Sequence, residues 1–356
     1  MLQKGLPLAL CQLVLIAGIL WVTNRYLESQ NPIAEDNYTH EIIQDSSSTE
    51  TRMVNESLHI DTSDGEKTIF RTTKTEGRFA DYWLRIDPDT GLYPTQPQHQ
   101  VVLLGCSFVQ GDGLNDDQTL QRLTQLSFNS TEQQSTVKTI SISKGGWSIN
   151  HLFELFYNNN PIFNRISPRV PTTFIYLYPD FHIDRAIMTY STFLSSPEKK
   201  SKFPVISMTK SGDFKIEELA QAFPRQTSTL QFLHSAGLAS SQMALLWKPI
   251  LEPLRLWRFE SGQHEKNVAR RIAEFKKGLF SRFPKSNFLL VPYPFHSRIN
   301  DGLYTDHGIE IFRIELTREQ QDLQSEYFIP WDRHPSGKLN ALLAEAITRK
   351  VGHPSK

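Results

Sequence analysis

The stretch QVVLLGCSFVQGDGL, from Gln100 to Leu114, decides the fold class of this chain. Its apolar run, Val101 to Leu104, predicts a buried strand, and the run stops at a Gly-Cys-Ser turn that ends in Ser107. Open α/β sheets bind their ligands beyond the carboxyl ends of the strands. A serine that a sharp glycine turn leaves uncovered at this position is a candidate nucleophile, provided that a base reaches its hydroxyl.

A candidate base lies far along the chain, in the segment WDRHPS that precedes a helical pattern. Asp332 and His334 are two residues apart, so their side chains point the same way if the segment is extended. The carboxylate can then hold one imidazole nitrogen while the other nitrogen faces Ser107. The chain order Ser, Asp, His is one of the orders in which catalytic triads occur.

Strand and helix patterns alternate on both sides of the opening stretch. The predicted strands are Val101–Leu104, Val137–Ile142, Thr172–Tyr178 and Asn287–Val291, and the predicted helices are Asp117–Leu126, Ile149–Tyr157, Glu265–Phe280 and Gly337–Lys350. This order predicts an α/β fold in which a parallel sheet carries helices on both faces.

Four short motifs, in order between Ile69 and Val351, resemble the blocks of the SGNH (GDSL-type) hydrolase superfamily. They are Gly105-Cys106-Ser107 for the usual Gly-Asp-Ser, Gly146 after the second strand, Pro179-Asp180 for the usual Asn-Asp, and Asp332, His334 and Pro335 before the last helix. Each motif follows a predicted strand or precedes the final helix, as in that family. The resemblance implies a three-layer α/β/α sandwich with a mostly parallel, flavodoxin-like sheet.

The same resemblance implies a serine ester hydrolase that acts on an acyl or acetyl ester of a sugar or lipid and needs no cofactor or metal. Ser107 would be the nucleophile, His334 the base and Asp332 its orienting acid. The backbone N–H groups of Ser107 and Gly146 would form the oxyanion hole. Two alternatives stay open: an O-acyltransferase that uses the same triad, and a non-catalytic SGNH-like domain that binds envelope polymer or a membrane partner.

The motifs depart from the family pattern in three places. Cys106 replaces the usual Asp, which in the family supports the turn, and the acid lies two residues before His334 instead of three. Pro179 stands where the family places its oxyanion-hole Asn, and proline has neither a side-chain donor nor an N–H. Losing one oxyanion donor costs about 10²–10³ in rate. Either Asn150 or His182 replaces it, or activity is reduced or absent, as in the non-catalytic alternative.

The N-terminus contains an uncharged stretch, Gly5 to Val22, with Lys4 before it and Arg25 after it. At roughly 18 residues it is near the lower limit for a bilayer span. A cleaved signal peptide is the alternative, but no small-x-small cleavage site follows the apolar run. We therefore predict a single-pass signal-anchor at residues 1–27. Its position at the N-terminus places the remaining chain on the extracytoplasmic, periplasmic side.

The composition and the polar segments set the domain organisation. We predict a polar flexible spacer at 28–68 and one hydrolase domain at 69–351, which contains a largely helical insertion or cap at 188–262. With 38 basic and 38 acidic residues and no basic block, the chain is not expected to bind nucleic acid. Its two cysteines, Cys11 and Cys106, indicate neither a disulfide framework nor a zinc site.

Overall fold

The computed structural model describes residues 22, 56–63, 66–86, 91–130, 136–208, 214–241, 243–244, 259, 264–295, 299–330 and 334–352. Its strands β1 to β10 are Glu56–Ser63, Glu66–Glu76, Asp81–Ile86, His99–Gly105, Val137–Ser143, Thr172–Tyr178, Pro204–Met208, Phe214–Glu218, Ser286–Pro292 and Glu310–Ile311. Its helices α1 to α12 are Ser107–Gln110, Leu120–Ser130, Ile149–Tyr157, Phe181–Ala186, Tyr190–Leu194, Pro197–Lys200, Leu219–Ala222, Pro224–Ser235, His264–Arg282, Asp301–Thr305, Arg318–Asp322 and Gly337–Gly352. Short 3₁₀ turns occur at Asp116–Gln118, Pro161–Arg165 and Gln324–Tyr327.

Contacts divide the chain into two compact units. The larger unit, Tyr38–Ile183 with Glu265–Lys356, contains the five-stranded sheet, and the smaller unit contains Asp184–His264. In the described part of the smaller unit, helices α5 to α8 accompany an antiparallel hairpin of β7 and β8. The insertion at 188–262 was predicted to be largely helical, and the β7–β8 hairpin was not predicted.

The five-stranded sheet has the order β5-β4-β6-β9-β10, and every neighbouring pair is parallel. Numbered by their place in the chain, these strands run 2-1-3-4-5, which is the flavodoxin-like order. The prediction of an α/β fold with a mostly parallel sheet is confirmed. The order reverses between β4 and β6, and the crevice above this point is where such sheets bind ligands.

Helices cover both faces of this sheet because its apolar residues alternate between the two sides. On one face, Leu103 and Ile175 pack in a buried cluster with Leu343 of α12. On the other face, the Phe174 ring lies 5.5 Å from the Phe283 ring, which follows α9. Because β4 and β6 are packed on both faces, residues at the carboxyl ends of these strands have well-defined positions.

An antiparallel sheet of β1, β2 and β3 precedes the parallel one. The prediction of a flexible spacer up to Thr68 is wrong for residues 56–63 and 66–68, which form paired strands. The reason lies in the sequence: Leu58 and Ile60 alternate with polar residues, and Asp64-Gly65 is a hairpin-turn dipeptide. The polar composition of this segment is typical of a spacer, and its alternating strand pattern was therefore not recognised.

The predicted signal-anchor at 1–27 lies outside the described residues except for Val22, and so does the spacer from 28 to 55. Within the part of the chain that the structure describes, we find no helix with both the length and the apolar character of a membrane span.

Candidate active site

Ser107 lies at the carboxyl end of β4, beside the point where the strand order reverses. It is 4% exposed and begins the one-turn helix α1, which Gly111 ends in the left-handed conformation with φ 78°. A Cβ added to Gly105 would lie 2.5 Å from Val109 Cγ2. Glycine at 105 therefore allows the strand to turn at once into the helix, and this sharp turn presents the serine at the end of the sheet.

The glycine turn after β5 lies against Ser107. A Cβ added to Gly145 would be 3.8 Å from Ser107 Cβ and 3.0 Å from Asp112 Oδ2. The Gly145 N–H donates to Gln110 Oε1 at 2.6 Å, whereas the N–H groups of Ser107 and Gly146 donate to no protein acceptor in the described residues. These two N–H groups are the pair that the sequence predicts for the oxyanion hole, and the prediction stays open.

The start of α3 fixes this glycine turn. Ser148 Oγ accepts from the Asn150 N–H at 3.3 Å, and His151 Nδ1 accepts from the Ser148 N–H at 3.2 Å. The His151 ring also stacks on the Trp147 ring, with centroids 5.8 Å apart. Because Trp147 directly follows Gly146 and is buried, the end of the turn cannot move independently of α3.

His334 lies next to a short backbone bridge that joins two segments before α12. Phe328 and Pro335 form an antiparallel bridge, and the Ile329 N–H donates to the His334 carbonyl at 2.7 Å. The His334 ring is 5.6 Å from the ring of Phe108, the residue after Ser107. Among the described residues no hydrogen bond joins Ser107 Oγ to His334, and catalytic bonds are often long in resting enzymes.

Asp332, the predicted orienting acid, lies outside the described residues. Its place beside the His334 ring stays a prediction.

An aromatic group around Phe108 forms the apolar side of the site. The Phe108 ring lies 5.3 Å from the Phe181 ring and 4.9 Å from the Tyr293 ring, in addition to its contact with His334. Tyr293 follows β9 directly; its burial, and secondarily the Cys106 thiol, raise the pKa of its hydroxyl well above the usual value. Phe108 fits the first SGNH-like block in the sequence, but the aromatic contacts of Phe181 and Tyr293 were not predicted, because they join segments that are distant along the chain.

Whether Asn150 or His182 replaces the missing asparagine near the end of β6 stays a prediction, and the structure describes their surroundings. Pro179 is buried directly after β6. Asn150 is fully buried and its Oδ1 accepts from Arg271 at 3.5 Å, while His182 is buried with Nδ1 2.9 Å from the Tyr176 hydroxyl. Both proposed substitutes are thus engaged in the interior, away from any described contact with Ser107.

No family model and no curated protein matches the chain. Among solved structures it is similar to the acetyl xylan esterase Est2A from Butyrivibrio proteoclasticus, at 11% identity and a TM-score of 0.39 over 76% of this chain and 67% of that one. It is also similar to a family two carbohydrate esterase from Clostridium thermocellum, at 8% identity and a TM-score of 0.38 over 77% and 67%. A third is LAE5, an alpha/beta hydrolase enzyme from the metagenome of Lake Arreo, at 11% identity and a TM-score of 0.38 over 73% and 98%. Likeness at this level does not assign an activity.

Proposed function

We propose that this protein is a serine ester hydrolase that acts outside the cytoplasm on an acyl or acetyl ester of a sugar or lipid. One observation carries the proposal. Ser107 begins a one-turn helix at the point where the strand order reverses, beside a glycine turn, and the ring of the next residue, Phe108, contacts the His334 ring. These contacts support a shared site for the proposed nucleophile, the proposed base and the proposed oxyanion donors. Of the motifs that resemble SGNH hydrolases, those with Ser107, Gly146 and Pro179 follow the ends of β4, β5 and β6, which supports a shared site.

In the proposed reaction, Ser107 Oγ attacks the acyl carbon of the ester while His334 takes its proton. Asp332 holds the imidazole in the required tautomer and stabilises the imidazolium. The N–H groups of Ser107 and Gly146 bind the oxyanion as it develops. His334 then protonates the leaving alcohol, and water, activated by the same imidazole, releases the acid from the acyl-enzyme.

The acyl side of the substrate is expected to contact the aromatic group. Phe108 and Phe181 present apolar rings next to the serine, and such a wall favours an uncharged acyl group over a charged one. The carbohydrate or lipid part of the substrate is inferred only from the resemblance of the motifs.

A fluorophosphonate probe tests the proposal without knowledge of the substrate, since it reports an activated serine. The full-length protein should be labelled and should hydrolyse p-nitrophenyl acetate. Ser107→Ala should abolish both activities, and His334→Gln should lower the labelling rate by about 10³ or more. Wild-type protein that stays unlabelled at neutral pH while correctly folded would exclude the esterase. Transfer of the acyl group to an added sugar alcohol, in place of water, would identify the acyltransferase alternative.

A non-catalytic binding domain is the second candidate, and Pro179 is the observation that favours it. Proline itself supplies no donor at this position, so the proposed oxyanion hole would consist of the Ser107 and Gly146 N–H groups. Pro179→Asn separates the two candidates. An esterase should gain rate from a restored donor, whereas a binding domain should remain unlabelled before and after the change.

A further inference from the structure

Arg85, on β3 of the N-terminal sheet, is a buried cation that the proposed reaction does not use. Its guanidinium is directed at the loop that follows the nucleophile, although 22 positions of sequence separate it from Ser107. The residue is 7% exposed, and its partner Asp116 is more accessible, at 27% of its side chain.

The guanidinium spans the loop with four hydrogen bonds. Nη1 donates to the Gly111 carbonyl at 2.7 Å and Nη2 donates to the Leu114 carbonyl at 2.8 Å. Nε and Nη2 donate to Asp116 Oδ1 at 3.0 and 2.6 Å. A buried charge is costly unless it is paired, and here the carboxylate neutralises it while the planar fork fixes two backbone carbonyls at once.

The amides of the same loop hold Ser107. The Gly111 N–H donates to the Ser107 carbonyl at 2.9 Å and the Asp112 N–H donates to it at 3.3 Å. The guanidinium is therefore joined to the nucleophile's backbone through one residue, Gly111. A Cβ on Gly111 would lie 3.0 Å from Thr119 Cγ2 and 3.5 Å from Arg85 Nη1. Gly111 is therefore closely packed between Thr119 and the guanidinium.

We infer that Arg85 is a positioning residue for Ser107, and that the N-terminal three-stranded sheet is part of the active-site architecture. The inference rests on the proposed function. It goes beyond that function because it assigns a catalytic consequence to a segment outside all four motifs. Without the guanidinium, the Leu114 carbonyl loses the Arg85 donor and the Gly111 carbonyl keeps only the Leu114 N–H at 3.1 Å, so the loop can shift relative to the glycine turn.

The test compares Arg85→Ala with the wild type in the full-length protein, at a temperature where both are folded. Because a displacement of about 1 Å at a reacting group costs about 100-fold in rate, kcat for p-nitrophenyl acetate and the fluorophosphonate labelling rate should fall by about that factor, with KM little changed. Millimolar ethylguanidinium should restore much of the labelling rate, because it can occupy the vacated fork.

Ile272→Ala is the matched control, since it truncates a fully buried side chain on α9 and so destabilises the fold from the other face of the sheet. It should lower the melting temperature and leave the labelling rate of the folded protein unchanged. If Arg85→Ala does not fold, Arg85→Lys replaces it. Lysine keeps the charge but cannot bond both carbonyls as a fork does, so kcat should fall by about tenfold.

The outcomes separate the two proposals. A wild type that is labelled, together with folded Arg85 variants labelled at the wild-type rate, would overturn the positioning role and leave the esterase standing. A wild type that is not labelled would overturn the esterase and the positioning role with it. If ethylguanidinium does not rescue a slow Arg85→Ala variant, and Ile272→Ala is slowed to a similar extent for a similar loss of melting temperature, Arg85 has only a structural role.

Discussion

Two adjacent residues, Cys106 and Ser107, allow the nucleophile to be assigned by a pair of single substitutions. Both are buried, at 0% and 4% exposure, and both carry groups that attack acyl carbons elsewhere in biology. Cys106 lies in the apolar cluster between sheet and helices, whereas Ser107 begins α1 at the rim. We predict that Ser107→Ala abolishes activity and that Cys106→Ser keeps most of it.

The structure gives the sizes of these effects. Among the described residues no hydrogen bond joins Ser107 Oγ to a protein partner, so removing this buried hydroxyl should change the free energy of unfolding by about 1 kcal/mol or less. Loss of a triad serine lowers kcat by about 10⁶. Cys106→Ser places a hydroxyl in an apolar cluster and should cost about 1–3 kcal/mol of stability. The neighbouring Tyr293 hydroxyl is a nearby partner that favours the lower end of this range.

The assay combines p-nitrophenyl acetate turnover, fluorophosphonate labelling and urea unfolding on the wild type and both variants. Cys106→Ala serves as the control that removes the sulfur without adding a polar atom. The expected pattern is a stable, inactive Ser107→Ala and a less stable, active Cys106→Ser. The reasoning is refuted if Ser107→Ala remains active, or if Cys106→Ser folds and is inactive.

Three further predictions follow from other parts of the molecule. Burial raises the pKa of the Glu154 carboxyl above its ordinary 4.5, so the folded state holds this proton more tightly than the unfolded chain does. The contribution of this group to stability therefore falls as pH rises from 4.5 through the raised pKa of the folded state. In urea unfolding, Glu154→Gln should reduce the decline of the unfolding free energy over this pH range, and equal slopes in both proteins would contradict this. Gly145→Ala should slow labelling by about tenfold or more, because its Cβ meets Asp112 Oδ2 at 3.0 Å, whereas Gly302→Ala meets only Asn300 Oδ1 at 3.4 Å and should change nothing. The intact chain should stay with membranes through alkaline washing, and a chain starting near Asn31 should be soluble and active; a mature protein that begins after Val22 in the soluble fraction would instead show a cleaved secretion signal.

The parts of the fold that sequence predicts well are those that local pattern alone determines. The predicted run Thr172–Tyr178 coincides with β6, and the predicted helix Ile149–Tyr157 coincides with α3, because apolar runs and periodicity are written in consecutive residues. The strands β1 and β2 were missed because their polar faces resemble a spacer in composition. Whether such a segment pairs depends on partners that are distant in sequence.

The candidate site divides in the same way. Ser107 and Gly146 were predicted from motifs, and the structure adds that the Gly145 N–H donates to Gln110 Oε1; the oxyanion role of the Gly146 N–H stays a prediction. The ring contact between Phe108 and His334 joins segments more than two hundred residues apart, and no local pattern encodes it. Arg85 was not predicted for the same reason, since an arginine in a strand gives no sign of which loop it will reach.

The interior position of β4 has a consequence for motion. Because β4 is paired on both sides, with β5 and with β6, amide hydrogens of Val102 and Leu104 should exchange with solvent only when the whole unit unfolds. Among the described residues next to His334, pairing is limited to the bridge of Phe328 with Pro335, so the Ile329 amide hydrogen should exchange by local opening. For the proposed esterase, this difference implies that His334, the proposed base, moves more readily than Ser107, the proposed nucleophile, and that local opening near His334 limits how often the two groups meet.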